Sequence, residues 1–198
     1  MLDPKFAILA ALIELTGASS YARDTFRGTT QPNRVTWVIW TIAPFIALAA
    51  QLNSGVGWPA LITFAIGFGP LLVLTASFAN KKAYWRLTKF DLVCGALSVL
   101  ALILWAITGT GLVAIALSLL ADLLASVPTI VKAYRQPETE SANAFLVGIL
   151  GPGLILLTLR TWDFASYSFP LYALLDCGII FIFVRFPKWR PLSAKEPI

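Results

Sequence analysis

The stretch Gly111–Tyr134, GLVAIALSLLADLLASVPTIVKAY, decides the fold of this chain. It is apolar almost throughout, and Asp122 is its only charged residue before Lys132 at the far end. A helix needs about 20 mostly apolar residues to cross the hydrocarbon core of a bilayer. The stretch therefore predicts a transmembrane helix that carries one acidic side chain, Asp122, near its centre.

Six further apolar stretches make up most of the rest of the chain. Hydrophobic residues account for 58% of its 198 residues and charged residues for 13%, whereas about a quarter of a soluble domain is charged. The sequence therefore predicts an all-α integral membrane protein surrounded by a lipid bilayer. The seven predicted spans are Lys5–Tyr21, Val35–Leu52, Gly57–Ala79, Phe90–Thr108, Gly111–Tyr134, Ala144–Thr161 and Ser166–Phe186.

Basic residues occur almost entirely on alternate connections between these spans. All of them except Lys5 and Arg160 lie in or within a few residues of the first, third and fifth connections, or near the C-terminus. Positively charged connections stay on the cytoplasmic side, so we predict an extracytoplasmic N-terminus and a cytoplasmic C-terminus in a bacterial inner membrane. The net charge of +5 comes from these short clusters, and it gives no indication of nucleic-acid binding.

Residue types that serve common catalytic and metal sites are scarce. The chain has no histidine, and its two cysteines, Cys94 and Cys177, lie inside apolar stretches. Zinc sites and Ser-His-Asp triads are built from histidine or from clustered cysteine. The composition therefore predicts a protein that is not an enzyme and that uses no metal or other cofactor.

The chain also matches itself weakly at an offset of 108 residues. Two three-helix units can point the same way only if an odd number of helices joins them, and the span Phe90–Thr108 supplies that single helix. We predict two parallel three-helix bundles in a 3+1+3 plan: residues 1–80 and 111–187, an inverting linker 81–110, and a cytoplasmic tail 188–198. The match pairs Glu14 with Asp122, Phe26 with Tyr134, Arg27 with Arg135, Trp37 with Phe145 and Pro44 with Pro152.

The segment Pro128–Arg135, PTIVKAYR, and the following Pro137–Asn143, PETESAN, together resemble the PQ-loop family. That family includes SWEET sugar facilitators, lysosomal amino-acid exporters and KDEL receptors. The resemblance implies the same 3+1+3 fold. The chain departs from the family in three respects. Thr129 follows Pro128 where the family has Pro-Gln, and Ser20 stands where SWEET proteins carry a fourth proline. The third helix of each unit also lacks the asparagines with which SWEET proteins bind sugar.

Three acidic residues, Glu14, Asp122 and Asp176, lie near the centres of their spans, and no Lys or Arg lies at a similar depth. Facing lipid, each ionised carboxylate would cost about 2.5–3.5 kcal/mol. These acids form a solute or proton site, or they are protonated groups that tie helices together. Tyr172, one turn before Asp176, is a candidate hydrogen-bond partner, and Thr129 shares a helix face with Asp122.

Aromatic and polar residues cluster where several spans approach the cytoplasmic side. Trp37 and Trp40 are either interfacial anchors or a stacking platform or inner gate. Tyr21 and Phe145 belong to the same candidate gate. Asn143, at the start of the sixth span, is either a helix cap or part of that gate.

Three prolines inside spans, Pro44, Pro128 and Pro152, correspond to positions at which SWEET helices carry proline. Each removes a helix hydrogen bond and can kink its helix. They are therefore candidate hinges, with static bends required for packing as the alternative.

Two functions remain open at the level of sequence. The first is a transporter that moves a small polar solute, of the amino-acid or sugar class, by alternating access, with protons as a possible coupled partner. The second is a receptor or scaffold of the same fold that binds a peptide or protein. The sequence leaves a homo-oligomer open.

Overall fold

The computed structural model of the chain describes residues 2–80, 83, 85–108 and 111–186. Across these residues the backbone is helical, with no strand. A short 3-10 helix, Pro137–Thr139, lies between the fifth and sixth α-helices. The α-helices are α1 Phe6–Arg27, α2 Arg34–Asn53, α3 Ala60–Ala79, α4 Lys89–Thr108, α5 Gly111–Arg135, α6 Ala142–Leu156 and α7 Phe164–Arg185.

The seven α-helices correspond to the seven predicted spans, with differences at two ends. α1 runs on past Tyr21 to Arg27 and stops at Gly28, whose φ of 80° is the left-handed conformation that favours glycine. α6 ends at Leu156, five residues earlier than predicted, and the Thr158 hydroxyl there donates to the Ile155 carbonyl at 2.7 Å. The predicted tail 188–198 and the basic residues Lys81 and Lys82 lie outside the described residues.

The outer surface of the helices is that of a membrane protein. Four helices, α2, α3, α5 and α7, are long and apolar enough to cross a bilayer, and α6 is apolar but shorter. Large exposed apolar surfaces are unstable in water, whereas lipid accommodates them. Exposed leucines and isoleucines occur on every α-helix, among them Leu12, Ile42, Leu71, Leu100, Leu120, Leu150 and Leu175.

Two sets of contacts organise the helices. α3 packs against both α1 and α2, and α7 packs against both α5 and α6. α1 also packs on α6 and α2 on α5, while α4 lies against α5 and contacts α2. The space between these helices therefore receives side chains from α1, α2, α3, α5, α6 and α7.

Hydrogen bonds show which connections lie together. The Gln31 amide donates to the Thr139 carbonyl at 3.0 Å, and the Asn80 side-chain amide donates to the Phe26 carbonyl at 2.7 Å. The first, third and fifth connections therefore share one end of the molecule, which we call the basic end because of the arginines and lysines around it. At the opposite end, the Gln51 side-chain amide donates to the Ala165 carbonyl at 2.8 Å.

Glycines allow α1 and α6 to approach closely. A Cβ atom added at Gly17 would lie 2.8 Å from Val147 and 3.2 Å from the Ala144 carbonyl oxygen. A Cβ atom added at Gly151 would lie 3.0 Å from the Ala10 carbonyl oxygen and 3.2 Å from Glu14 Oε2. Small residues at such contacts let helix backbones pack closely in membranes.

Asp163 caps the N-terminus of α7. Its carboxylate accepts hydrogen bonds from the backbone N–H and the hydroxyl of Ser166, both at 3.0 Å, and from the Thr161 hydroxyl at 3.1 Å. Slight burial raises the pKa of Asp163, but these hydrogen bonds together outweigh it and hold the pKa below its ordinary value of 3.8.

Replacing Gly17 with alanine should lower the free energy of unfolding by about 1–3 kcal/mol, because the added methyl overlaps Val147 and forces α1 away from α6. Unfolding of the detergent-solubilised protein, followed by circular dichroism, measures the change. Gly178→Ala is the matched control, because a Cβ atom there has nothing within 4 Å. Equal stability of the two variants would contradict the tight α1–α6 contact.

Replacing Asp163 with alanine should destabilise the chain by about 1 kcal/mol at neutral pH, because α7 loses its N-cap. Since the pKa of Asp163 is depressed in the folded state, its contribution is present at neutral pH and disappears as the pH falls below about 4. The difference in unfolding midpoint between wild type and variant should therefore shrink on acidification. A difference that stays constant down to pH 3 would exclude the charged cap.

Candidate functional site

A cavity lies between the helices at the level of the predicted acidic residues. The centre of a water molecule can reach about 80 Å³ of it, which is room for several waters or for a small solute. Eight of the predicted site residues line it: Glu14, Tyr21, Trp37, Trp40, Asp122, Phe145, Tyr172 and Asp176. Ala18, Ile66, Pro70, Ala144, Gly148, Ala173 and Cys177 complete the wall.

The three acids reach this cavity from three helices, Glu14 from α1, Asp122 from α5 and Asp176 from α7. Asp122 and Asp176 are only 3% and 6% exposed. Glu14 Oε2, Asp122 Oδ1 and Asp176 Oδ1 are buried, and none of them has a hydrogen-bond partner among the described residues. Within the described wall, no lysine or arginine is present. The cavity therefore contains three carboxyl groups without a countercharge.

Tyr172 was predicted to be the hydrogen-bond partner of Asp176, but its hydroxyl does not form that bond. Its hydroxyl is directed toward Asp122 and Ser126 on α5, outside ordinary hydrogen-bond geometry, and it has no partner of its own in the described part of the chain. A long side chain on a helix leans toward the N-terminus of that helix, and the Tyr172 hydroxyl remains near Asp176 without forming a hydrogen bond to it. The result is one more unpaired polar group in the cavity wall.

An aromatic cluster lies on the side of the cavity toward the basic end. The Tyr21 ring centroid is 4.7 Å from that of Trp37 and 6.0 Å from that of Phe145, and the Trp37 and Trp40 rings are 5.2 Å apart. Tyr21 is seven residues beyond Glu14 on α1, about 10 Å along the helix. These rings, from α1, α2 and α6, separate the carboxyl groups from the basic end.

The two tryptophans of the cluster do not anchor the protein at a lipid interface. Trp37 is 5% exposed and Trp40 is 8% exposed, whereas interfacial tryptophans face lipid headgroups. Both indole N–H groups are buried, with no hydrogen-bond partner among the residues the structure describes. Buried polar groups are normally hydrogen-bonded, so these N–H groups are available to water or to a bound solute.

The remaining predicted residues lie outside the cavity wall. The buried Thr129 hydroxyl donates to the Thr36 hydroxyl at 3.0 Å and so ties α5 to α2. Asn143 is exposed in the first turn of α6, and the cap position belongs to Ser141. The prolines Pro44, Pro128 and Pro152 are buried inside α2, α5 and α6 respectively.

A buried charged network closes the basic end beyond the aromatic cluster. Lys132 Nζ forms an ion pair with Glu140 Oε1 at 2.6 Å, and the two side chains are 1% and 0% exposed. The Tyr21 hydroxyl donates to Glu140 Oε2 at 2.5 Å, and Lys132 Nζ also donates to the Gln31 carbonyl oxygen. The Lys132 ammonium lies 5.2 Å from the centre of the Trp85 ring. This network joins α1, α5 and all three connections at the basic end.

Sequence reasoning missed Glu140 and treated Lys132 only as a determinant of topology. Glu140 lies in a short polar connection, where an acidic residue is ordinarily solvated. Its contact with Tyr21 spans 119 residues of sequence, so nothing local indicates it. The one available signal is that Lys132 falls within the last turn of an apolar helix rather than after it.

Lys132→Met should lower the free energy of unfolding by about 3–5 kcal/mol, because it leaves the Glu140 carboxylate buried without its cation. The double variant with Glu140→Gln should recover much of this loss, because both charges are then gone. Denaturant titration in detergent measures both variants. Lys89→Met, at an exposed lysine, is the control and should change stability by less than about 0.5 kcal/mol. Additive effects of the two substitutions would contradict the ion pair.

No family model, no curated protein and no solved structure matches the chain.

Proposed function

We propose that the chain is a membrane transporter that moves a small polar solute through the cavity by alternating access. The observation that supports this most strongly is the set of polar groups with unpaired atoms in one cavity between the helices. The wall offers a solute acceptors and a donor from Glu14, Asp122, Asp176 and Tyr172. Asp122 and Asp176 do approach Tyr172 and Ser126 across α5 and α7, but Asp122 Oδ1 and Asp176 Oδ1 remain without a hydrogen-bond partner among the described residues.

Two three-helix units, α1–α3 and α5–α7, are the moving parts in this proposal, with α4 as the linker between them. The ends of α1 and α5, Arg27 and Arg135, are separated by the same 108 positions as Glu14 and Asp122. The starts of α2 and α6, Arg34 and Ala142, have this separation as well. The contacts of α3 with α1 and α2 are repeated by those of α7 with α5 and α6. These regularities support the 3+1+3 plan of PQ-loop and SWEET proteins.

The basic end supplies the inner gate in this proposal. Tyr21 belongs to the first unit, whereas Lys132 and Glu140 belong to the second, so the buried network spans both units. For a solute to leave at the basic end, this network and the aromatic cluster must separate. Pro44, Pro128 and Pro152 interrupt the hydrogen bonding of their helices and are the proposed hinges.

The orientation follows from the positive-inside rule. Arg27, Arg34, Arg86 and Arg135 border the connections at the basic end, and this end is proposed to face the cytoplasm of a bacterial cell. The solute would then enter or leave the cytoplasm past the aromatic cluster.

Protons are the proposed coupled partner. Glu14, Asp122 and Asp176 share the cavity with Tyr172 and Cys177, and no basic group of the described chain lines it. Like charges in a confined space cannot all stay ionised without compensation. Release of the solute is therefore proposed to be accompanied by uptake of a proton by one of the three acids.

The proposal is tested by uptake into proteoliposomes of a labelled panel of amino acids, sugars and amines, with and without a pH gradient. Glu14→Gln and Asp122→Asn should each reduce flux of the transported solute at least about tenfold, the equivalent of 1.4 kcal/mol in the transition state. The pH gradient should stimulate wild type and should stimulate the two variants less.

Asp163→Asn is the control, because its carboxyl lies outside the cavity and asparagine also caps helices well. Its flux should equal that of wild type. Flux unaffected by Glu14→Gln and Asp122→Asn would refute transport through the cavity. No flux of any solute, together with saturable binding of a peptide, would instead favour the receptor.

A further inference from the structure

We propose that the transported solute is a small organic cation, bearing an amine or quaternary ammonium group together with a neutral oxygen acceptor, and lacking a carboxylate. The inference rests on the proposed transport function and specifies its substrate class. Two separate features of the cavity support it, its charge and its aromatic wall.

The charge of the cavity favours a cation over a neutral or anionic solute. Three carboxyl groups with unpaired buried oxygens line it, and none of the described wall residues is a lysine or an arginine. The buried ammonium of Lys132 is engaged with Glu140 and Gln31. It is also ten residues from Asp122 along α5, about 15 Å. A cationic solute would supply a countercharge to an ionised carboxylate of the cavity, whereas a neutral solute would supply none.

A solute with its own carboxylate fits less well. Besides the three acids, its partners would be neutral donors: the N–H groups of Trp37 and Trp40 and the hydroxyl of Tyr172. A buried carboxylate needs a charged partner to repay its desolvation. Within a cavity of this size, it would also lie within a few ångströms of three acidic groups and would be repelled by each one that is ionised. Zwitterionic amino acids are therefore disfavoured.

The aromatic wall adds a second, independent indication. Tyr21, Trp37 and Trp40 border the same cavity as the acids, and cations bind to the faces of such rings, most strongly when the site is desolvated. The two indole N–H groups have no protein partner within the described residues. They are hydrogen-bond donors, so they suit a hydroxyl or carbonyl oxygen of the solute. An amino alcohol carries both groups that the site calls for, a cation for the acids and the aromatic rings and a hydroxyl oxygen for the indole N–H groups.

Three isosteric probes separate the charge types. Choline is a cation with a hydroxyl, 3,3-dimethyl-1-butanol is its neutral counterpart, and trimethylglycine is the corresponding zwitterion. Binding to the purified full chain in detergent is measured by calorimetry and by quenching of tryptophan fluorescence, and flux is measured in proteoliposomes. Ethanolamine, ethylene glycol and glycine repeat the comparison for a primary amine.

At least one of the two cations should bind at least tenfold more tightly than its neutral and zwitterionic counterparts, and it should be the member of its series that is transported. Asp122→Asn and Asp176→Asn should each weaken cation binding about tenfold or more. Trp40→Leu should weaken it as well, and Trp40→Phe, which keeps an aromatic ring, should restore part of it. Asp163→Asn should bind as wild type, and thermal unfolding of each variant confirms that it is folded.

The inference would be overturned if the neutral or zwitterionic probes bound as tightly as the cations, or if neither cation showed saturable binding at millimolar concentration. Full cation affinity in folded Asp122→Asn and Asp176→Asn would overturn it as well. Flux of a sugar or an amino acid without flux of either cation would refute the inference and leave the transporter intact. Saturable cation binding without flux of any solute would refute transport and leave the cation site intact.

Discussion

The hydrocarbon core of a bilayer provides no hydrogen-bond partners, so a buried polar group must find its partner inside the protein or in a cavity. This constraint organises the chain. Thr36, Thr129 and Gln51 meet it by bonding between helices. Lys132 and Glu140 meet it as a buried ion pair. Single oxygens of Glu14, Asp122 and Asp176 do not meet it within the described protein, and, unlike the unpartnered atoms of Thr63, Ser118 and Ser168, these belong to residues that line the cavity.

The two polar groupings on the axis of the molecule therefore differ in kind. At the basic end, the Glu140 carboxylate contacts both the Lys132 ammonium and the Tyr21 hydroxyl. Around the cavity, single carboxyl oxygens and the two indole N–H groups are buried without hydrogen-bond partners among the described residues. The charged network and the aromatic cluster next to it separate these unpartnered groups from the basic end.

The sequence predicted the helices well, because each apolar stretch has the length that a bilayer requires. It also pointed to the three acids that line the cavity, because an acid within an apolar span is conspicuous. It could not identify Glu140, whose buried partners come from distant parts of the chain. Nor could it distinguish buried Trp37 and Trp40 from interfacial anchors, because tertiary packing, and not composition, decides which face of a helix meets lipid. For the same reason, the sequence could not show that Asn143, a candidate for the gate, is exposed on the surface.

The absence of a side chain at Gly151 has a consequence for the wetting of the cavity. The backbone of α6 lies directly against Glu14, so close that a Cβ atom would sit 3.2 Å from its carboxyl oxygen. On this side, the contact of α1 and α6 leaves no room for a water, so the cavity is the side from which water can approach the Glu14 carboxyl. A larger residue at position 151 would push on the acid itself, and Gly151 therefore fixes how far Glu14 can retreat from the cavity.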